Sequence, residues 1–355
     1  MTAGVTAHGP AVTQVVILVR RPGPGGPTPE DFALAEQAVP ELGAGQVLVR
    51  NAFMSVDPSM RGRLEETEKH YTTNFAIGEP LDGSAVGQVI ASRAPGIETG
   101  AWVRHRLGWR DLAVVTATAD NPSAFGVIDV DRAAPSAWLG ILGQTGFTAY
   151  AGLLRAGELT KGDTVFVSAA AGAVGSAAGR FAHLLGAARV IGSAGGAAKY
   201  RLLTEELGFD AAVDHRAEPV AAGLGRAAPD GVDLYFDNVG GDHLVAALDA
   251  LRVGGRVALC GMISQFTSDA PRPTIDHLIQ AVLKRLTLRG FIVRDHEDLR
   301  PEFEDRVSGW LRTGELVSRQ TVVNGLDHAV AAFLGMLRGD NVGKMLVRLD
   351  RDVES

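Results

Sequence analysis

The distribution of apolar and polar positions divides the chain into two kinds of sequence. The first third contains short runs rich in β-branched residues, which glycine and proline interrupt, and "RPGPGGPTP" at 21–29 is typical of a loop. The runs that predict strands lie at 14–20, 45–56, 83–92 and 102–107. Closely spaced strands of this kind predict a barrel-like or sandwich domain.

After residue 135, apolar strands alternate with segments that are long enough to form helices. The predicted strands are 164–170, 188–194, 233–239 and 255–262, and the predicted helices are 174–186, 198–208 and 242–251. This order of strands and helices predicts a doubly wound parallel sheet in an α/β protein. The segment 343–349 returns to strand character, and we expect it to rejoin the first domain.

Composition and charge limit the classes of function. A chain of 355 residues is long enough for two domains, and its net charge of −7 gives no basic surface for nucleic acid. The N-terminus lacks the pattern of a signal peptide, and no apolar run approaches the ~20 residues that span a bilayer. The single cysteine, Cys260, excludes an intramolecular disulfide and a multi-cysteine metal site. We therefore expect a soluble cytoplasmic protein that binds neither nucleic acid nor membrane.

A glycine-rich turn, "SAAAGAVGSAAG", lies between a predicted strand and a predicted helix and aligns as Ala170-x-Gly172-x-x-Gly175. Gly172 would let the backbone approach a pyrophosphate at the start of the helix, and Gly175 would let that helix pack closely on the strand. Alanine at position 170 fits if its φ is negative. The alternative is a strand–helix turn that binds no ligand.

The next strand and turn favour NADP over NAD. NAD-binding turns carry an acid about 20 residues after the glycines for the ribose hydroxyls, whereas no acid lies between Gly192 and Arg201. Lys199 and Arg201 offer positive charge to a 2′-phosphate instead. The alternative is that both are solvated charges on a helix, above all Arg201.

Nearly the whole chain resembles one family. The resemblance is carried in family order by "SVDPSMRGRL" (55–64), "LGQTGFTAYAGLL" (142–154), "SAAAGAVGS" (168–176), "YFDNVGG" (235–241), "CGMISQF" (260–266) and "NVGKMLVRL" (341–349). The chain resembles the zinc-free branch of the medium-chain dehydrogenase/reductase superfamily, above all the prostaglandin, alkenal and curcumin reductases. The resemblance implies a GroES-like catalytic domain over 1–140 and 321–355 and a Rossmann domain over 141–320. It also implies a homodimer joined by edge strands near 286–293.

The resemblance further implies an NADPH-dependent ene-reductase, with the nicotinamide between the two domains. Hydride would go to the β-carbon of an α,β-unsaturated ketone or aldehyde, and the enolate would be protonated at the α-carbon. The implied cofactor-binding residues are Gly172, Ala173, Val174, Gly175, Ser176, Lys199, His215, Asn238, Cys260, Gly261, Met262, Ile263, Ser264, Gln265, Phe266, Phe291, Ile292, Val293 and Asn341. The catalytic residue is not assigned, and the candidates are Phe266, Ser59, Tyr71 and Tyr150.

The sequence also lacks the ligands of a zinc alcohol dehydrogenase. Where such relatives carry a Gly-His-Glu segment, this chain has "IGEPLDGSAVG" at 77–87, and no histidine pair has the spacing of metal ligands. We therefore expect no metal cofactor. Conjugate reduction needs less help from a Lewis acid than carbonyl reduction, because the charge spreads over the enolate.

Three family tyrosines are replaced, and other functions stay open. Phe266 and Ser59 stand where the family commonly has tyrosine near the substrate, and His215 stands at the 2′-phosphate tyrosine. These changes indicate an altered substrate pocket. The alternatives are an imine or quinone reductase, a reductive cyclase, or a nucleotide-binding protein without turnover. Tyr150 could equally pack the interior, and Tyr71 could be a solvated loop residue.

Overall fold

The computed structural model describes residues 12–66, 73–118, 124–265 and 277–350. The chain divides into two compact units. The first unit contains the described residues of Met1–Leu139, Thr321–Asn341 and Met345–Ser355, and the second contains Gly140–Gln320 and Val342–Lys344. Of the helices in the described ranges, none has both the length and the apolar character that crossing a bilayer requires.

The first unit consists mainly of strands. Its elements are β1 (Val12–Leu18), β2 (Phe32–Ala38), β3 (Gln46–Ser55), α1 (Met60–Arg63), β4 (Ala85–Ser92), β5 (Trp102–His105), β6 (Leu112–Thr116), β7 (Phe125–Val127), β14 (Gln320–Asn324), α9 (Ala329–Arg338) and β15 (Lys344–Arg348). A seven-stranded sheet has the order β14-β15-β3-β4-β5-β7, with β6 also paired to β3, and β1 and β2 form a separate pair. As the sequence predicts, the last strand pairs with β3, which belongs to the first part of the chain.

The core of this unit forms where α9 packs on the strands. The buried ring of Phe333 lies edge-on to those of Phe32 and Trp109, with centroids 6.3 and 6.2 Å apart. Nearby, the Arg63 guanidinium donates to both carboxylate oxygens of Asp82 and lies 3.9 Å from the Phe75 ring centroid. The apolar part of the Arg63 side chain is therefore buried in the core, while its charge is paired with Asp82.

The second unit alternates strands and helices. Its elements are α2 (Gln144–Ala151), β8 (Thr164–Val167), α3 (Ala173–Leu184), β9 (Arg189–Ala194), α4 (Ala197–Glu205), β10 (Ala211–Asp214), α5 (Val220–Ala227), β11 (Val232–Asp237), α6 (Gly241–Ala250), β12 (Leu251–Leu259), α7 (Ile279–Leu283), β13 (Thr287–Gly290) and α8 (Arg300–Thr313). All six strands are parallel and have the order β10-β9-β8-β11-β12-β13. This is the strand order of the Rossmann fold, so the predicted fold class is confirmed.

An aromatic cluster fills the space beside α3 and α8. Tyr150 is fully buried, and its ring lies 5.6 Å from that of Phe303 and 6.0 Å from that of Phe181. The Tyr150 hydroxyl donates to Glu302 Oε1 at 2.5 Å and accepts from the Arg306 guanidinium at 3.0 Å. Desolvation, together with the bond to Glu302, raises the pKa of Tyr150 to about 12, so the hydroxyl stays protonated. These contacts give Tyr150 a packing role within the second unit.

We expect Tyr150→Phe to lower the free energy of unfolding by about 1 kcal/mol, because the variant loses one partly buried hydrogen bond and keeps the packed ring. Denaturation in urea measures this change. The exposed Tyr200→Phe is the control and should change stability by less than about 0.5 kcal/mol. Equal effects of the two substitutions would contradict a structural role for the Tyr150 hydroxyl.

Candidate cofactor site

The glycine turn connects the end of β8 to the start of α3. The φ of Ala170 is not positive, so alanine fits at this position of the motif. Its N–H donates to Ser193 O at 2.8 Å. The left-handed residue is its neighbour Ala169, with φ of +48°. A residue with a side chain in this conformation costs about 1 kcal/mol, and an alanine in the sequence does not predict it because alanine rarely adopts positive φ.

Gly175 is required by the close approach of α3 to this turn. A Cβ atom at this position would lie 2.3 Å from Ala169 O, so α3 can approach the turn this closely only with glycine here. Gly172 precedes the first residue of α3 and provides no side-chain cap, and its own Cβ would lie 3.2 Å from the same oxygen. The first N–H groups of α3 have no partner within the helix, and the helix dipole adds positive potential there. A pyrophosphate fits this donor set and this cradle of small residues.

A second segment of the chain runs beside the turn. Gly343 N–H donates to Ala171 O at 2.9 Å, and a Cβ on Gly343 would lie 2.0 Å from Arg319 O. The short segment 342–344 is therefore held closely on the second unit, and Asn341 directly precedes it in sequence.

Basic side chains gather around Gly195, in the turn after β9. A Cβ at this position would lie 2.8 Å from Arg216 Nε and 3.0 Å from His215 Nε2. Desolvation, followed by the charges of Arg216 and Lys199, lowers the pKa of His215, while Asp214 acts in the opposite sense. The predicted residues Lys199 and His215 thus lie in one group with Arg216, which the sequence reasoning missed. Its position directly after His215 was the available signal.

The carboxylate of Asp214, at the end of β10, joins the turn before α4 to the residues that follow β10. Its Oδ1 atom accepts the N–H groups of Gly196 at 2.8 Å and Arg216 at 3.0 Å. These hydrogen bonds, led by that of Gly196, lower the pKa of Asp214. The backbone turn before α4 is therefore fixed against the residues that follow β10, which positions their side chains.

A buried histidine supports the His215 ring. The rings of His215 and His243 are 5.2 Å apart, and His243 Nε2 lies 2.8 Å from Ser193 Oγ. Burial, together with the nearby His215, lowers the pKa of His243 to about 4, so His243 is neutral at pH 7. Positive charge in this group therefore comes from Lys199 and Arg216, with His215 as a hydrogen-bond donor.

The carboxyl ends of β11 and β12 bring further predicted residues to the same edge of the sheet. Asn238 Nδ2 donates to Ser168 O, at the start of the glycine turn, at 2.8 Å. The N–H groups of Cys260 and Gly261 both donate to Asp237 O, at 2.9 and 3.0 Å. In open α/β sheets ligands bind in the crevice outside these strand ends.

An open cavity of about 510 Å³ lies beyond β12 and β13. Cys260, Met262, Phe291 and Ile292 contribute to its wall, which is mainly apolar. Burial, with the charge of Asp237 as a second cause, raises the pKa of the Cys260 thiol to about 12, so the thiol is protonated. Such a wall fits a flat, weakly polar group such as a nicotinamide ring.

The remaining predicted residues are placed as follows. Ile263 and Ser264 continue the segment from Cys260, with Ser264 Oγ donating to Val239 O at 2.6 Å, and only the backbone of Gln265 is described. Val293 begins a short 3-10 helix. Ser59 is exposed directly before α1 in the first unit. Phe266 and Tyr71 lie outside the described residues. Within the described residues, no group of at least three histidine, cysteine or acidic side chains could hold a metal ion.

Family models match both parts of the chain. Residues 14–122 match the N-terminal domain of oxidoreductases, and residues 173–308 match the zinc-binding dehydrogenase domain.

Individual relatives cover nearly the full length. The chain is 38% identical to the NADPH-dependent curcumin reductase of Escherichia coli, over 95% of this chain and 96% of the relative. It is 39% identical to the NADP(+)-dependent 2-alkenal reductase of Nicotiana tabacum, over 88% and 90% of the two chains. The crystal structure of CurA from Vibrio vulnificus in complex with NADPH matches this chain with a TM-score of 0.88 and 38% sequence identity. The match covers 95% of this chain and 99% of that chain. The chain therefore belongs to the zinc-free branch of the medium-chain dehydrogenase/reductase superfamily, together with the curcumin and alkenal reductases.

Proposed function

We propose that this protein reduces the C=C bond of α,β-unsaturated ketones or aldehydes with NADPH. The observation that carries the proposal is the start of α3, packed through Gly175 on a turn at the carboxyl ends of the sheet. Relatives named for NADPH or NADP and for curcumin or 2-alkenal reduction, which match over most of their length, support it. In a 2-alkenal the C=C bond is conjugated to an aldehyde.

We propose that NADP is held by the residues that the family motifs identify, together with Arg216. The amides of Ala173, Val174 and Gly175 would bind the pyrophosphate, with Ser176 lining it, and Lys199, His215 and Arg216 would bind the 2′-phosphate. Asn238, the segment 260–266, the segment 291–293 and Asn341 would surround the rest of the dinucleotide. When bound, NADPH supplies the hydride for the β-carbon.

The cavity wall has two tasks in this proposal. The side chains of Met262, Phe291 and Ile292 exclude water from the nicotinamide half, which strengthens electrostatic interactions there. Cys260 lines the same cavity, and its thiol is held protonated. Because the thiolate is the nucleophilic form of cysteine, this thiol resists addition to an electrophilic enone.

The direct test is a panel of simple enones, enals, quinones and imines, each incubated with NADPH and the purified protein. We expect NADPH oxidation with the enones and enals, and products that gain the mass of two hydrogen atoms at the C=C bond. Turnover confined to quinones or imines, or the absence of turnover with all four classes, would contradict the proposal.

A second test concerns the choice of cofactor. Losing a charge-assisted contact costs roughly 1.5–3 kcal/mol, so Lys199→Ala and Arg216→Ala should each weaken NADPH binding about tenfold or more. NADH lacks the 2′-phosphate, and its dissociation constant should stay within about twofold of the wild-type value in either variant. Fluorescence titration measures both cofactors.

The matched control for this test is Arg201→Ala, which removes an exposed positive charge from the same helix as Lys199. It should leave the binding of both cofactors unchanged, because residues two apart on a helix do not face the same side and an exposed charge is screened by salt. Equal losses of NADPH and NADH affinity in the Lys199 and Arg216 variants would refute the 2′-phosphate assignment.

We also propose that the protein is a homodimer joined through β13. This strand is at the edge of its sheet, and α7 beside it in sequence exposes Ile279, Val282 and Leu283, the last two by 71% and 60%. An exposed edge strand with adjacent apolar side chains is a surface that a second copy can cover. Val282→Asp should convert the dimer to a monomer in sedimentation experiments. A monomeric wild-type protein would refute the proposal.

A cytoplasmic location is consistent with this function, because NADPH is the reductant and the sole cysteine forms no intramolecular disulfide. Cell fractionation tests it, and recovery of the protein outside the cytoplasm would contradict it.

A further inference from the structure

One buried carboxyl group is not used by any step of the proposed reaction. Asp237, the last residue of β11, is fully buried. Its position is between the ends of β8 and β12, because these strands are the neighbours of β11 in the sheet. All three strands end at the proposed cofactor site.

One oxygen of this carboxyl group, Oδ1, accepts most of the nearby hydrogen bonds. Asp237 Oδ1 accepts the N–H groups of Val239 at 2.9 Å and Gly240 at 2.7 Å, and the Tyr235 hydroxyl lies 2.7 Å away. Ser168 Oγ is 3.3 Å from the same oxygen. The side chain therefore closes the 238–240 turn around its own carboxylate.

Ser168 extends this network to the glycine turn. Its Oγ atom accepts Asn238 N–H at 2.9 Å and lies 3.0 Å from the Tyr235 hydroxyl. Its carbonyl accepts Asn238 Nδ2 at 2.8 Å. Ser168 is fully buried and is followed directly by the left-handed Ala169, so these bonds fix the point at which the glycine turn leaves β8.

The backbone of the same turn also holds the segment after β12. The carbonyl of Asp237 accepts two N–H groups from Cys260 and Gly261, and the carbonyl of Val239 accepts the Ser264 hydroxyl and N–H. A shift of the 238–240 turn would therefore move the 260–264 segment as well.

The carboxyl group receives no charge compensation from the described part of the chain. Asp237 Oδ2 is buried and has no hydrogen-bond partner among those residues. Burial raises the pKa of Asp237 despite the donors on Oδ1, of which Gly240 N–H is the strongest. An uncompensated buried carboxyl is costly, and such groups are concentrated at functional sites.

We propose that Asp237 is a positioning residue for cofactor binding, which holds the glycine turn, the 238–240 turn and the 260–264 segment in their binding arrangement. The inference rests on the proposed NADPH-dependent function and extends it to a residue that does not touch the 2′-phosphate group. Loss of Asp237 should therefore weaken NADPH and NADH binding by the same factor, unlike loss of Arg216.

The experiment measures the dissociation constants of NADPH and NADH for the full-length wild type and three variants by fluorescence titration. Asp237→Ala removes the acceptor, whereas Asp237→Asn keeps an oxygen at the Oδ1 position. Asp233→Ala is the matched control, because Asp233 lies on the same strand toward its other end and accepts Thr164 N–H at 2.8 Å and the Arg252 guanidinium at 2.6 Å.

Asp237→Ala should weaken the binding of both cofactors by roughly tenfold or more, because several hydrogen bonds within the site lose their acceptor. Asp237→Asn should restore both affinities to within about threefold of wild type. Asp233→Ala should lower the melting temperature but leave both affinities within about twofold. If Asp237→Ala does not fold, Ser168→Ala replaces it, with an expected loss of about threefold or more for both cofactors.

Several results would overturn the inference. Unchanged affinities in Asp237→Ala, or a loss confined to NADPH, would contradict the positioning role. An equal loss of cofactor affinity in Asp233→Ala would show that general destabilisation is sufficient to explain the effect of Asp237→Ala. These binding measurements do not require turnover, so a wild type that binds NADPH but reduces no enone would refute the proposed function alone. A wild type that binds neither dinucleotide would refute both.

Discussion

The close approach of α3 to the glycine turn is the constraint on which the site depends. At Gly175 the helix backbone comes so near that a Cβ atom would lie 2.3 Å from Ala169 O. This contact fixes where the helix begins and directs its unpaired N–H groups at the edge of the sheet. The strained φ of Ala169 and the seating of Gly343 beside Ala171 belong to the same tightly packed turn.

The polar groups around this turn lie in two different environments. The basic group of Lys199, His215 and Arg216 lies at the turn after β9, where Arg216 is exposed to water. Asp237 and Cys260 instead lie where burial disfavours their charged forms. One end of the proposed site can therefore attract a phosphate, while the other stays weakly polar for a nicotinamide and an electrophilic substrate.

The sequence predicted the features that depend on local pattern. The order of strands and helices in the second unit, the glycine turn and the return of the final strand all follow from periodicity and spacing. The predicted strand 164–170 ends at Val167 in the structure, because the positive φ of Ala169 interrupts the extended backbone. The Tyr150–Glu302 contact and the Asp237 network could not be predicted, because each joins residues that only the folded chain brings together.

The measurement that most directly tests the central claim follows hydrogen from cofactor to product. The wild-type protein is incubated with NADPH deuterated at C4 and a simple enone, and the product is analysed by mass spectrometry and NMR. Deuterium should appear at the β-carbon, with hydrogen from solvent at the α-carbon and the carbonyl intact. Deuterium on the carbonyl carbon of an allylic alcohol would contradict the account, because it would show carbonyl reduction and not reduction of the C=C bond.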